Sequence, residues 1–262
     1  MQDQFTDDLT TAIRNSKAIL VRVGAGISVN AGIPDFRSPD NGVYARIGHA
    51  EEVFHIENYQ CDPIPFYTLC TDMFDFDFRK IDPTSTHYFI KRLSERGKLL
   101  RCYSQNIDGL EKKAGLIEVE ELIQCHGNLD SIECSECHAR SDVNSDTWSM
   151  HVKEFVQLNI KDPSRIPSNL KCEKCGGFLK PSVVMFGEQL PRDFFRRIQN
   201  DICRCDLVLI IGTSLTVFPF ASIPQLVHPN VPQYVISRGV KSGHNCIDAD
   251  CDEILSKVFD SV

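Results

Sequence analysis

Three features together predict an α/β fold, a doubly wound parallel sheet with a smaller unit inserted. They are apolar runs that stop at glycine, helical patterns between those runs, and a stretch of different composition holding two Cys-x-x-Cys pairs. The first run, Ala18-Ile19-Leu20-Val21-Arg22-Val23, enters Gly24, and Leu207-Val208-Leu209-Ile210-Ile211 enters Gly212. The second is continuously apolar, as a central parallel strand buried on both faces must be. Strands alternating with helices build right-handed βαβ units, which cover such a sheet on both sides.

Taken in order, Asp7 to Lys17 carry a short amphipathic helical pattern leading into the first strand. From Ile33 to Pro83 the periodicity loosens: Pro34, Pro39, Pro63 and Pro65 break it, and Tyr44, Phe54, Phe66 and Phe76 are scattered through. A long functional loop with short helices is expected there. A helix begins at Thr84, with Phe89, Ile90 and Leu93 on one face and Gly97 as its stop. Leu99 to Tyr103 read as the next strand, and Gln233-Tyr234-Val235-Ile236 as a late one. Between about Glu133 and Lys180 the chain turns rich in Cys, Ser, Asp and Lys and loses periodicity, which marks an insert. The expected organisation is one domain over residues 1–262. Its larger part takes about 1–40, 84–132 and 181–262, and its smaller part about 41–83 together with a module at 133–180.

At 262 residues the chain can bury one good core with a smaller annex. No run approaches the roughly 18 apolar residues of a membrane span, and Met1-Gln2-Asp3-Gln4 lacks the basic start of a secretory signal. A net charge of −8 argues against a direct nucleic-acid partner and favours a basic peptide. Twelve cysteines without a secretory signal imply a reducing compartment, where metal ligation or free thiols are the default. With no nuclear-localisation cluster, the expected location is the cytoplasm, with the nucleus second.

Cys134-Ser135-Glu136-Cys137 and Cys172-Glu173-Lys174-Cys175 each place two sulfurs within reach of one ion, so Cys134, Cys137, Cys172 and Cys175 are candidate ligands of one structural zinc. A redox dithiol would need one pair and not two. The 34 residues between the pairs require a loop or helix, expected around Trp148 to Leu158, to bulge out. Gly176-Gly177 suits a tight knuckle. Four thiolates leave no open position, so this metal should brace the fold and not activate water. The other cysteines, Cys61, Cys70, Cys102, Cys125, Cys203, Cys205 and Cys246, read as small buried hydrophobes or idle thiols.

Gly24-Ala25-Gly26-Ile27-Ser28-Val29 follows a strand directly, and its two glycines let backbone approach a pyrophosphate at the start of a helix, a Rossmann-like arrangement. Val29 stands where the dinucleotide fingerprint has glycine, and no clear ribose-binding acid follows about 20 residues on, so a plain structural turn stays open on this motif alone. His126 beside Gly127 reads equally as a structural histidine, and Asn106 and Asp108 as turn residues. His87, His151 and His244 show no partner pattern and read as scaffold or surface.

The stretch from Gly24 through Ile33-Pro34-Asp35-Phe36-Arg37-Ser38 resembles the signature of the sirtuins, the NAD-dependent protein deacylases. Other blocks match in order: Ser104-Gln105-Asn106-Ile107-Asp108-Gly109-Leu110, then Gln124-Cys125-His126-Gly127-Asn128, then the four cysteines. Lys180-Pro181-Ser182-Val183-Val184-Met185-Phe186-Gly187-Glu188 resembles the family's substrate-binding strand, and Gly212-Thr213-Ser214-Leu215 its later cofactor loop. With Val217-Phe218-Pro219-Phe220-Ala221-Ser222, the wording is most similar to the eukaryotic cytosolic and nuclear deacetylases.

The resemblance implies that Gly24, Ala25, Gly26, Ser28, Asp35, Phe36 and Arg37 line an NAD pocket whose nicotinamide end is shaped by Gln105, Asn106 and Asp108. Gly212, Thr213 and Ser214 would hold phosphate and ribose, and Cys251 would lie near the adenine. Val183, Val184, Phe186 and Gly187 would line an acyl-lysine tunnel in which an extended peptide pairs its backbone. It implies that the acyl oxygen attacks the ribose carbon as nicotinamide leaves, and that His126, as general base, deprotonates a ribose hydroxyl; Asn106 and Asp108 join it as catalytic candidates. NAD and zinc are the implied cofactors. Acetylated protein or peptide lysines are the implied partners, with histone tails and tubulin-like targets as named candidates, and no direct nucleic acid or membrane.

One departure is Ile236-Ser237-Arg238-Gly239, where family members often carry asparagine after the fourth strand. Ser237 and Arg238 are then the adenosine-side candidates, and loss of a two-ended amide bond costs roughly 1 kcal/mol of cofactor binding. The short segment from Val240 to Cys246 implies an abbreviated lid. The function expected is NAD-dependent lysine deacetylation; the rivals are mono-ADP-ribosyl transfer and a non-catalytic NAD or acyl-lysine binding module.

Overall fold

A computed structural model describes residues 2–34, 50–74, 80–214, 223–240 and 245–259. The first helix, α1 (Gln2–Asn15), starts five residues before its expected position, and β1 (Ile19–Val23) follows. Three helices then lie within the stretch expected to be a long loop with short helices: α2 (Ala50–Val53), α3 (Ile56–Cys61) and α4 (Ile64–Phe74). Their order comes from packing that periodicity does not display: buried Tyr59, Phe66 and Tyr67 meet edge to face, at centroid distances of 5.3 and 6.0 Å from Tyr59.

The next helix, α5 (Ser85–Glu95), opens on Thr84 in a capping box whose returning side chain is His87 at the third position. Gly97, at φ +66°, ends it as expected. After β2 (Leu99–Ser104) come α6 (Leu110–Lys113), β3 (Leu122–Gln124) and β4 (Gly127–Cys134), then α7 (Ser145–Gln157), the helix expected to bulge between the cysteine pairs. The chain returns through β5 (Leu179–Val183), α8 (Arg192–Arg204), β6 (Leu207–Ile211), α9 (Ile223–Leu226), β7 (Gln233–Ile236), β8 (Cys246–Ile247) and α10 (Cys251–Phe259).

Six strands form one parallel sheet in the order β3-β2-β1-β6-β7-β8, the doubly wound arrangement whose direction of winding reverses between β1 and β6. The period of two sorts its side chains. Ile19, Val21, Val23, Leu207, Leu209 and Ile211 pack on one face with α1, α5 and α10, while Leu20, Val208 and Ile210 pack on the other with Phe194, Ile198 and Ile202 of α8. Arg101, Tyr103 and Asp201 lock α8 to β2: Arg101 Nε and Tyr103 Oη both donate to Asp201 Oδ2, at 2.5 and 2.7 Å.

A second, antiparallel pair, β4 and β5, carries its own core with α3, α4 and α7. Three buried aromatics converge there on one acceptor. Tyr59 Oη, Tyr67 Oη and Trp148 Nε1 donate to the Leu179 carbonyl at 2.6, 3.2 and 3.0 Å, tying all three helices to β5.

Candidate functional site

Ligands in doubly wound sheets bind outside the carboxyl ends of the strands, where the winding reverses. Here the turns after β1 and β6 touch. Gly24 N–H donates to the Ile211 carbonyl at 3.2 Å and Gly26 N–H to the Gly212 carbonyl at 2.9 Å. A Cβ on Gly26 would lie 2.7 Å from Gly212 Cα, and one on Gly212, at φ +62°, would lie 2.6 Å from Ile27 N. These glycines therefore let two loops pack backbone to backbone. The expected helix at the first turn is replaced by two 3₁₀ turns, Ala25–Ile27 and Val29–Ala31, so no long helix dipole points out of it.

A cavity of about 590 Å³ opens above this junction. It draws its wall from the ends of β2 (Gln105, Asn106), β1 (Gly24, Ala25, Gly26), β6 (Gly212, Thr213, Ser214) and β7 (Ser237, Arg238), with Cys251 behind. Three strand spacings separate β2 from β7, roughly 14 Å, a span suited to two linked nucleosides. Val183, Val184, Phe186 and Gly187 form another wall, and His126 faces the cavity between these walls.

His126 is positioned by backbone on both sides. Its carbonyl accepts Val184 N–H at 2.9 Å, and Gly127 beside it pairs with Val183. Its Nδ1 lies 2.9 Å from the Gln105 carbonyl oxygen and so carries the ring proton, leaving Nε2 as the basic nitrogen. Burial holds its pKa below the ordinary histidine value, partly offset by that hydrogen bond, so the ring is neutral at pH 7. Thr213 Oγ1 in turn donates to Gln105 Oε1 at 2.8 Å, joining β6 to the strand that orients the histidine.

Gly127 sits at φ +72°, and a Cβ there would fall 1.8 Å from the Ser182 carbonyl oxygen. Gly127→Ala is therefore expected to cost roughly 3 kcal/mol or more. Thermal unfolding of the variant should show a drop of many degrees; a change of a degree or less would mean the β4–β5 crossing is looser than this geometry.

Lys180, fully buried, pins the Val183–Gly187 wall. Its Nζ reaches Glu133 at 3.0 Å, Glu188 at 3.1 Å and the Val183 carbonyl at 2.8 Å. Phe186 N–H is bonded to the Phe54 carbonyl and its carbonyl to Ile56 N–H, each at 2.9 Å. Both backbone groups of Phe186 are therefore already paired within the chain, while its side chain faces the cavity.

Ser28 and Asp108, expected to line the pocket, do not line this cavity: Ser28 is fully buried and its Oγ donates to Asp108 Oδ2 at 2.7 Å. Asp35, Phe36 and Arg37 lie outside the described residues, as does most of the expected short lid, residues 241–244. Sequence reading missed Phe54, Ile107, Met185, Leu190 and Phe195, which supply apolar cavity wall from four separate segments. It also missed Asp250, whose Oδ2 accepts from Arg238 Nη2 at 2.6 Å.

The four cysteine sulfurs lie within 4.8 Å of one another, with Cys134 to Cys175 at 3.4 Å and Cys137 to Cys172 at 3.8 Å. Bonds of about 2.3 Å to a tetrahedral zinc put sulfurs about 3.8 Å apart, so the set fits that ion. The knuckles that hold them are backbone-built: His138 N–H donates to the Cys134 carbonyl, Gly176 N–H to the Cys172 carbonyl, and Gly176 takes φ +80°. The Lys174 N–H helps bring the Cys172 thiol down to about 7, while burial pushes Cys134 up to about 12. Among the remaining cysteines Cys70, Cys102, Cys125 and Cys205 are buried, and Cys61 and Cys203 exposed.

A family model described as the Sir2 family matches residues 24–219. Curated relatives include the NAD-dependent protein deacetylase HST2 of Candida albicans, 39% identical over 90% of this chain and 67% of its own length. Another is the NAD-dependent protein deacetylase sirtuin-2 of Danio rerio, 42% identical over 84% of this chain but 55% of its own. A solved structure from work on the mechanism and regulation of Sir2 enzymes matches with TM-score 0.79 at 30% identity, covering 100% of this chain and 98% of that one. A second, a Sir2 protein with a deacetylated p53 peptide and 3′-O-acetyl ADP ribose, matches with TM-score 0.80 at 25% identity, covering 97% of each chain.

Proposed function

This chain belongs to the Sir2 family, and from that premise we propose that it is an NAD-dependent protein-lysine deacetylase with one structural zinc. The observation that carries the reading is His126. It is a half-buried, neutral imidazole whose Nδ1–H is spent on the Gln105 carbonyl, facing a cavity that joins the β1–β6 junction to the Val183–Gly187 wall.

Held along the strand ends, NAD would supply an electrophilic ribose carbon, with nicotinamide as the leaving group. Gly212, Thr213 and Ser214 would hold its phosphates and ribose at the centre, with Ser237, Arg238 and Cys251 on the adenosine side and Gln105 and Asn106 at the nicotinamide end. Asp35, Phe36 and Arg37 are proposed to complete that pocket. His126 Nε2 takes the proton of a ribose hydroxyl, and Gln105 keeps the ring turned for it. Val183, Val184, Phe186 and Gly187 exclude water around the acyl-lysine. The larger part, about residues 1–40, 84–132 and 181–262, would carry NAD. The smaller part, about 41–83 with the zinc module at 133–180, would present the peptide. Acetylated lysines on basic segments such as histone tails or tubulin-like proteins suit an acidic chain in the cytoplasm or nucleus.

Incubation with NAD and an acetyl-lysine peptide tests this. Nicotinamide should appear in proportion to acetyl-peptide, together with free lysine. Labelling of protein without any acyl substrate would mark an ADP-ribosyltransferase, and no nicotinamide at all a binding module; either result would overturn the proposal. Among the described residues no helix is long and apolar enough to cross a membrane.

A further inference from the structure

Behind the cavity lies a buried polar cluster that the proposed reaction does not use directly. Glu111 of α6, 1% exposed, accepts from Ser104 Oγ at 2.6 Å and from Asn106 Nδ2 at 3.3 Å, both on Oε1. Its Oε2 is buried with no hydrogen-bond partner. His87 of α5, fully buried, accepts Thr84 N–H on Nδ1 at 3.1 Å, and its Nε2 is likewise buried and without a partner. Asp108 completes the group: one ligand atom from each of His87, Asp108 and Glu111 lies within 4.8 Å of the other two, and no direct hydrogen bond joins the three.

Two orphaned buried polar atoms on residues clustered this tightly, with a carboxylate beside them, call for a shared hydrogen-bond partner. Three atoms at most 4.8 Å apart leave a point about 2.8 Å from each, the hydrogen-bond distance of a water oxygen. A metal ion suits it poorly. Because Nδ1 accepts from Thr84, the ring proton is on Nε2, which offers the site a donor and no lone pair.

The charges can be assigned group by group. Asp108 accepts from Ser28 Oγ at 2.7 Å and Leu110 N–H at 3.0 Å, one on each oxygen, which suits a carboxylate. Glu111 has no such pair of donors. Facing it are Asp108 from the loop before α6, His87 from α5, Cys102 of β2 and Cys125 after β3. Burial keeps both thiols neutral, and it holds His87 at about 4 against the opposing pull of Asp252 on α10.

We propose that His87, Asp108 and Glu111 enclose one ordered water and that Glu111 carries a proton there, which makes it the positioning residue for Asn106 and Asp108 at the nicotinamide end. Neutral Glu111 donates through the water to the Asp108 carboxylate while its Oε1 still receives Ser104 and Asn106. Its ionisation puts a second negative charge against Asp108 and loosens the loop that sets the Asn106 amide. The assignment to the nicotinamide end rests on the deacetylase reading; the proton on Glu111 does not.

Burial, then the charge of Asp108, push Glu111 up to about 8, from about 4.3 in an unfolded chain. A raised folded value means that its contribution to stability is complete below pH 4 and is lost as pH rises to 8. Glu111→Gln cannot lose that proton. Thermal unfolding of the two proteins from pH 5 to 9 should therefore show the variant gaining on the wild type steadily to about pH 8, by several degrees, and holding level above. A difference independent of pH would overturn the proposal. If the variant does not fold, infrared spectroscopy of the unsubstituted protein over the same range reads the carbonyl stretch of a buried protonated carboxyl. Its loss near pH 8 supports the assignment, and its absence at pH 6 overturns it.

With NAD and acetyl-peptide, wild-type kcat should fall above pH 8 while KM for peptide holds, and Glu111→Gln should lack that alkaline limb. An identical limb in both proteins would refute the positioning role. The unfolding and infrared readings need no turnover, so they stand apart from any failure of the deacetylase reading.

Discussion

Replacing His126 with alanine should lower deacetylation by roughly 10²–10⁴-fold, the contribution of one well-placed general base, without loss of fold or of NAD binding. The ring is held by a single side-chain bond to the Gln105 carbonyl, and its backbone contacts to Val184 survive substitution. The loss should therefore fall on kcat. The acid limb of the pH–rate profile follows from burial. A histidine whose charged form is disfavoured stays neutral to lower pH, so activity should persist below the ordinary value of about 6.5 and fall only as pH drops through the depressed one. Titration of turnover between pH 5 and 8, beside isothermal binding of NAD to both proteins, checks each part. A variant within tenfold of wild type would remove His126 from the reaction.

How far this site was legible in the sequence depends on whether its information is local. The run from Leu207 to Ile211 announced a buried parallel strand because burial on both faces leaves no polar position, and it sits in the interior of the sheet. Thr84 and Gly97 marked both ends of α5 because caps are local chemistry. Short helices were expected within the loop-like stretch that holds residues 50 to 74, but their positions were not, because the hydrogen bonds that fix two of them reach Leu179, about 110 residues away. His87 read as scaffold or surface with no partner pattern. Its Nδ1 partner, Thr84, is three residues off and was visible as a cap, but Asp108 and Glu111, which cluster with it, come from a segment about 20 residues on. Gly24 and Gly26 looked like a phosphate cradle, whereas their immediate demand is the close approach of Gly212, which no single window of sequence contains.

The largest effect on folding is expected from the metal. Cys172→Ser should lose zinc and, with it, the native packing of β4, β5 and α7, because the site is worth more than its neighbourhood can replace. Apparent binding free energies of structural zinc run to about 10–16 kcal/mol, against about 5–15 kcal/mol for the whole stability of an ordinary domain. The sulfur of Cys134 shows the coupling. It is buried in the same core as Trp148 and Leu179, where burial holds the thiol up at about 12, and only a bound dication would keep it as thiolate there at pH 7. Removing Cys172 therefore leaves three thiols, Cys134 and Cys175 3.4 Å apart, with no charge to organise them. Elemental analysis should find about one zinc per chain in the wild type, and a strong chelator should reproduce the loss caused by Cys172→Ser. Exposed Cys61 lies outside the cluster, so Cys61→Ser should retain both metal and fold. Native, monodisperse protein free of zinc would show that the aromatic contacts on Leu179 suffice to hold the small core. The wall that faces His126 depends on the same pairing, since β5 runs on from Leu179 into Val183. Zinc loss is therefore expected to abolish peptide turnover although no cysteine of the cluster lines the cavity.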